Sequence, residues 1–322
     1  LFGAKTKDIN SNEYLTAEVL ASAKAYSDQA IVVLSNDVVE SSDSSLEALK
    51  LTENRKELIR TVAENFEHVI VIVNVGNATE LGIVDEYDSI EAVVWTGIPG
   101  TQGCISLGKV LSGEVNPSGR LVDTYAYDVS SAPASENFGS YKYDNMNGMA
   151  FINYEEGIYV GYRYFQTAGA PVSYPFGYGK SYTTFEYSKP VVKATDKGFT
   201  ATITVKNTGA VAGKESVQLY VAAPAGGLEK PAFELKGFAK TKELAPGESQ
   251  TLTIDVCRYT LASFNEANSA WETAAGTYKV MFGANAADIR GTAEYKLKKA
   301  ESWQVNNVLA PAQPVNELTL QK

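Results

Sequence analysis

Cysteine is almost missing from this chain of 322 residues: Cys104 and Cys257 are its only two. They lie far apart, in different predicted domains, so no disulfide scaffold is expected and both thiols should be free. Free thiols suit a reducing compartment, and a cytoplasmic rather than secreted location is the expectation. Histidine is scarcer still. His68 stands alone ahead of an apolar run with no partner pattern, and it is assigned neither a catalytic nor a metal role. No metal-ligand spacing and no phosphate-binding loop occurs, so no cofactor is expected. Cations are outnumbered, with Lys and Arg at 28 against 38 Asp and Glu, a formal net charge of −10. An acidic chain with no basic run repels phosphate backbones, which argues against nucleic acid as a partner. No apolar run approaches the roughly 20 residues that cross a bilayer, so no membrane partner is expected.

What is present divides by period. A hydrophobic fraction of 44% and a charged fraction of 20% are those of a globular protein, and the length allows two domains. Up to about residue 115, helical patterns alternate with short apolar runs. Thr16 to Ser27 reads as a helix with Ala17, Leu20, Ala21 and Ala25 able to share a face. Thr52 to Phe66 reads as a second helix, with Leu58, Ile59, Val62 and Phe66 as its stripe. Ala30 to Ser35, Val69 to Val75 and Ala92 to Thr96 read as strands apolar on both faces, and Gln102 to Leu111 as a helix stopped by Gly113. Such strands separated by helices imply a parallel sheet covered on both sides. From about Tyr187 the period becomes two. Phe199 to Lys206, Glu215 to Ala222, Gln250 to Val256 and Thr277 to Phe282 alternate, with turns NTGAVAG, APAGGLEKP and APGES between them. The fold class is therefore α/β plus all-β: a three-layer α/β sandwich with a mostly parallel sheet, then a fibronectin type III-like β-sandwich.

Four segments follow: 1–115, the α/β domain; 116–186, a connector rich in Tyr, Gly, Asn and Ser; 187–300, the sandwich; and 301–322, a polar tail with Pro311 and Pro314. The connector's aromatics, among them Tyr141, Tyr143, Tyr154, Tyr159, Tyr162 and Phe165, suit contacts with sugar or protein, and equally suit anchoring the connector to its neighbours. The opening LFGAKTKDIN reads neither as a signal peptide nor as the start of a domain, which suggests a chain beginning inside a larger product. Three carboxylates cluster in SNDVVESSD, residues 35–43, at the predicted exit of the first strand.

Four stretches resemble the carboxy-terminal modules of glycoside hydrolase family 3, the β-glucosidase and β-xylosidase family. They are VIVIVNVGNATEL (69–81) with AVVWTGIPGTQG (92–103), LGKVLSGEVNPSGRLVDT (107–124), YEEGIYVGYRYF (154–165) and YPFGYGKSYTTFEY (174–187). Lys180 stands where the last motif usually has Leu. NPSGR reads as a turn in which glycine supplies positive φ, and the glycines of TGIPGTQG permit a tight strand-to-helix passage at the carboxyl edge of the sheet, where open α/β sheets bind ligands.

The resemblance implies a retaining β-glucosidase-like enzyme whose nucleophilic Asp lies on a (β/α)₈ barrel that this chain lacks. It implies that the acid/base Glu follows a sandwich strand in a pattern like S-x-x-S-G-E-G-x-D. Laid on SNDVVESSD, that pattern gives the catalytic place to Glu40, with Val39 and Ser41 replacing the flanking glycines. Such an acid needs an apolar wall or a neighbouring carboxylate to stay protonated, which Val38, Val39 and the partner Asp could provide. Asp37 and Asp43 read better as loop-shaping side chains than as proton donors. Asp43, Tyr141, Tyr143 and Tyr154 are candidate substrate contacts. The partners implied are a β-linked oligosaccharide or glucoside and the barrel domain of the same enzyme, and a homo-oligomer is admitted. A noncatalytic carbohydrate-binding or scaffold fragment is the alternative. The closing NELTLQK resembles the stretch that opens the family's barrel, as in members with reversed module order.

Overall fold

The computed structural model describes residues 12–36, 45–136, 141–142, 144–145, 147–311 and 313–320, with the backbone alone at Tyr141 and Ala150. The chain forms two compact units. One runs to Gly108 and includes Tyr125–Ser131; the other contains Lys109–Thr124 and everything from Ala132.

In the first unit, α1 (Ala17–Tyr26) begins at Thr16, whose hydroxyl accepts from the Val19 N–H. It leads to β1 (Gln29–Ser35), α2 (Glu53–Asn65), β2 (His68–Asn74) and β3 (Ile90–Trp95). The three strands form a parallel sheet in the order β1-β2-β3, pairing Val32 with Val71, Leu34 with Val73, and Val71 with Val93. Helix α2 packs on β1 and β2 and buries Ile59, Val62 and Ala63, while Val69, Val71, Ile72 and Val73 bury the central strand. Each such side chain withdrawn from water contributes about 1.5–3 kcal/mol. Thr52 caps α2 by accepting from the Arg55 N–H. Helix α3 (Gly100–Leu111) carries the chain onward, and Tyr125–Ala126 returns to the unit as the short, buried strand β4.

Two expectations are corrected here. The apolar pattern of β1 is buried on one face only: Val32 and Leu34 are buried, while Ile31 and Val33 are 56% and 57% exposed. The alanine face of α1 buries no side chain. Ile31 and Val33 alternate with Val32 and Leu34 and so point to the other face of the sheet, which the described residues leave largely uncovered there; the described residues likewise leave the alanine face of α1 open.

The second unit opens with the short strands β5 (Tyr141–Lys142) and β6 (Ala150–Phe151), helix α4 (Tyr162–Ala168) and strand β7 (Val172–Tyr174). Its sandwich follows. One sheet pairs β10 (Gly198–Asn207) with β13 (Ser249–Cys257) on one side and with β8 (Phe185–Tyr187) and β9 (Val191–Thr195) on the other. The second runs β12 (Glu234–Lys240), β11 (Ser216–Ala222), β16 (Gly276–Gly283), β17 (Ile289–Leu297). Alternate residues point inward, as a period of two requires. Phe199, Ala201, Ile203 and Val205 of β10 therefore meet Val217, Leu219, Val221, Val280 and Phe282 in one core. A third, three-stranded sheet joins β14 (Ser263–Asn265), β15 (Ala270–Glu272) and β18 (Ser302–Gln304).

The stretch around NPSGR packs within this second unit, and the turn expected there is corrected. Gly119 does not adopt positive φ. Asn116 holds the segment instead: its amide donates to the Ala212 carbonyl and its carbonyl accepts from the Ser181 hydroxyl and the Tyr182 N–H. Arg120 donates to Glu215 at 2.6 Å; Glu215 is buried and the Arg120 side chain is 10% exposed. The close approach that needs glycine lies at Gly177, at φ +81°, where a Cβ would sit 2.0 Å from the Gln218 amide oxygen. Gln218 donates to the Gly177 carbonyl at 3.0 Å.

Candidate active site

The carboxyl edge of the parallel sheet is where the strands release their loops. After β1, the Asn36 amide donates to the Asn77 side-chain oxygen at 2.9 Å. After β2, Val75 is buried and its carbonyl accepts from the Trp95 indole N–H at 2.9 Å. After β3, the Thr96 N–H donates to the Val73 carbonyl at 3.0 Å. The chain then turns at Gly97 and Gly100, with φ +63° and +64°, which bears out the glycine reading of TGIPGTQG. A Cβ on Gly97 would lie 3.4 Å from the Trp95 ring. The three strand ends are thus tied to one another.

The segment 37–44, with Glu40 and Asp43, lies outside the described residues, and so do Val38, Val39 and Tyr143. Its two ends are described. Asn36 is fixed to Asn77, and Ser45 caps the single helical turn Leu46–Leu49 by accepting from the Ala48 N–H. The Leu49 carbonyl accepts from the Thr79 hydroxyl at 2.6 Å and from the Glu80 N–H at 3.2 Å. Asn36 and Leu49 therefore both bond to residues 77–80, at the exit of β2.

The other sequence-derived residues belong to the second unit. Tyr154 is 71% exposed, with its ring on the surface, and Tyr141 pairs through its backbone with Phe151. Several connector aromatics prove to be anchors. Tyr159 is buried and donates to Glu229 at 2.6 Å; burial, then that carboxylate, pushes its phenol up to about 12. Tyr162 stacks on Phe176 at 4.7 Å and its hydroxyl accepts from the Leu235 N–H, while Phe165 is buried.

Sequence reasoning missed the Asn36–Asn77 and Trp95–Val75 bonds. Asparagine and tryptophan just past a strand end are the signal that could have found them, since both carry donors able to tie loops. It also missed the partner of His68, which is exposed and bonds Glu91 at 2.8 Å. A concavity in the first unit is lined by Lys56, Arg60, Glu80, Glu86 and Tyr127, and most of these groups are already engaged. Lys56 pairs with Glu53, Tyr127 donates to Asp85 and Glu80 accepts from the Val129 N–H. Cys104 and Cys257 are free and exposed.

A parallel α/β sheet with a tied carboxyl edge, followed in one chain by a fibronectin type III-like sandwich, defines the class: an α/β sandwich module coupled to an all-β module. The particular family follows from direct comparison. Residues 7–162 match the Glycosyl hydrolase family 3 C-terminal domain, and residues 215–286 match the Fibronectin type III-like domain. The chain belongs to glycosyl hydrolase family 3. It is 39% identical to a beta-glucosidase of Ruminococcus albus over 91% of this chain and 31% of that protein. Beta-glucosidase A of Butyrivibrio fibrisolvens is 35% identical over 92% of this chain and 41% of its own length. Among solved structures, beta-glucosidase 3B of Thermotoga neapolitana in complex with α-D-glucose superposes with a TM-score of 0.82 at 33% identity, covering 91% of this chain and 41% of that one. The chain thus spans about a third to two-fifths of the length of these relatives.

Proposed function

We propose that this chain is the non-barrel part of a retaining β-glucosidase that releases terminal β-linked glucose from oligosaccharides, and that it supplies the general acid/base, Glu40. The nucleophilic Asp belongs to a barrel of the same enzyme, outside this chain. In a retaining reaction one carboxylate attacks the anomeric carbon while the other protonates the leaving oxygen, then takes a proton from water in the second step. Family membership supports the reaction class. The observation that carries the assignment is that Asn36 and Leu49, on either side of residues 37–44, both bond to residues 77–80 at the edge of the sheet where this fold presents ligand contacts. Asp43 and the aromatic side chains of Tyr141, Tyr143 and Tyr154 are proposed as contacts to the sugar. The two exposed free thiols fit a cytoplasmic enzyme.

The sequence of the segment also motivates a second reading, a noncatalytic carbohydrate-binding module, because Val39 and Ser41 replace the glycines expected beside the acid. A Glu40→Gln change in the barrel-containing parent separates them. Loss of the proton donor should slow glucosides with poor leaving groups by about 10²–10⁴-fold, and spare formation of the glycosyl-enzyme from aryl glucosides whose leaving group needs no proton. Equal rates for wild type and variant on a poor leaving group would leave only the binding reading.

A further inference from the structure

We infer that the second unit carries a glycan-binding platform on its three-stranded sheet, fitted to a soluble, twisted β-glucan chain. In the register of that sheet Phe264 faces Trp271, and Trp271 faces Trp303, so three aromatic side chains stand in one row across three strands. Residues facing one another across adjacent strands share a side of the sheet. On the opposite side Ala270 is only 1% exposed, while Gln304 and Ser302 of the neighbouring strand are exposed. Tyr259 extends the row, its ring centroid 5.3 Å from Trp303 and 6.0 Å from Trp271. Tyr259 and Phe264 are 46% and 41% exposed, and the two tryptophans are half-buried.

Three features favour a glycan as the occupant. The row is about 10 Å long, set by the strand spacing, and strand-spaced rings can each cover the C–H face of one sugar in a chain. Four partly exposed aromatic side chains leave on the order of 300 Å² open, well short of the roughly 800 Å² per partner of a stable protein interface. A net charge of −10 disfavours an anionic polymer and leaves a neutral one unopposed.

The ring geometry narrows the ligand. Phe264 is tilted 55° from Trp271, and Tyr259 is tilted 54° from Trp271 and 86° from Trp303. A flat crystalline surface needs coplanar rings, whereas a free chain can rotate between sugars to meet tilted ones. That the glycan is a β-glucan rests on the β-glucosidase reading above; that the platform binds a neutral sugar chain does not.

The test is retardation of this chain in native gels containing soluble barley mixed-linkage β-glucan, with microcrystalline cellulose pull-down alongside. Wild type should be retarded by the soluble polymer and remain unbound to the crystalline one. Phe264→Ala and Tyr259→Ala, both at exposed positions, should weaken retardation at least five-fold without moving the unfolding midpoint of the chain. Absence of wild-type retardation overturns the proposal, as does equal retardation of the variants. A wild-type dimer in sedimentation that Phe264→Ala dissociates also overturns it, since a second copy would then cover the rings. Retardation does not depend on proton donation, so this outcome and that of Glu40→Gln are separable.

Discussion

His68 is the chain's one imidazole, and the Glu91 carboxylate beside it raises its proton affinity through a hydrogen bond and then through charge. A group whose folded value is raised contributes stability that is present below its unfolded value, near 6.5, and lost as pH rises through the folded one. Because no second histidine interferes, its ring proton signals should titrate with a midpoint above about 6.5, and Glu91→Gln should lower that midpoint. Identical midpoints would contradict the pairing. The buried counterpart is Glu215, which accepts from Arg120 at 2.6 Å and from the Tyr187 hydroxyl at 2.7 Å, with Arg290 stacked over the Tyr187 ring at 5.0 Å. Burial, then the Glu215 charge, pushes the Tyr187 phenol well above its ordinary range. Removing Arg120 takes away the hydrogen-bonded cation of a buried carboxylate and leaves Glu215 with the Tyr187 hydroxyl and, at 3.9 Å, Arg290. Arg120→Ala should therefore cost about 3–5 kcal/mol in urea unfolding, and a loss below about 1 kcal/mol would show that water reaches the pair.

At the scale of elements, residues 317–320 show how side chains fix a segment with no regular structure. Glu229 accepts from the Tyr159 hydroxyl, the Thr319 hydroxyl and the Leu320 N–H, and the Leu318 N–H donates to the Glu155 carbonyl. Glu229→Ala should speed hydrogen exchange at Leu320 at least ten-fold while leaving β10 and β16 protected; unchanged exchange would mean that the tail is held by other contacts. Legibility in the sequence follows the same division. The strands β10, β11, β13 and β16 line the sandwich core, β10 and β13 alternating in burial and β11 and β16 burying runs of successive residues, and the sequence announces all four within a residue or two of their ends. The expected strands do not include β12 and β17. They are the two edges of their sheet; ELKGFAK shows no clean period, whereas IRGTAEYKL alternates inward and outward along its whole length, a signal that sequence reasoning passed over. The ties at Asn36 and Trp95 were silent for a different reason: they join residues 20 or more apart, and local pattern carries no such information.

For the whole molecule, the chain divides into two compact units, and residues 109–124 and 132–186 pack with the sandwich. The family was legible because its motifs carry structural duties that cannot be moved: Asn116 and Arg120 pin one stretch, and Gly177 admits Gln218 where no side chain fits. The catalytic assignment rests on Glu40, whose segment lies outside the described residues, and on a division of labour between this chain and a barrel. That division is tested most directly by the initial rate of aryl β-glucoside hydrolysis by the purified 322-residue chain alone. The account predicts no rate above buffer, because nucleophilic attack needs the Asp of the barrel. A rate that scales with chain concentration and disappears in Glu40→Gln would put both carboxylates on this chain and contradict it.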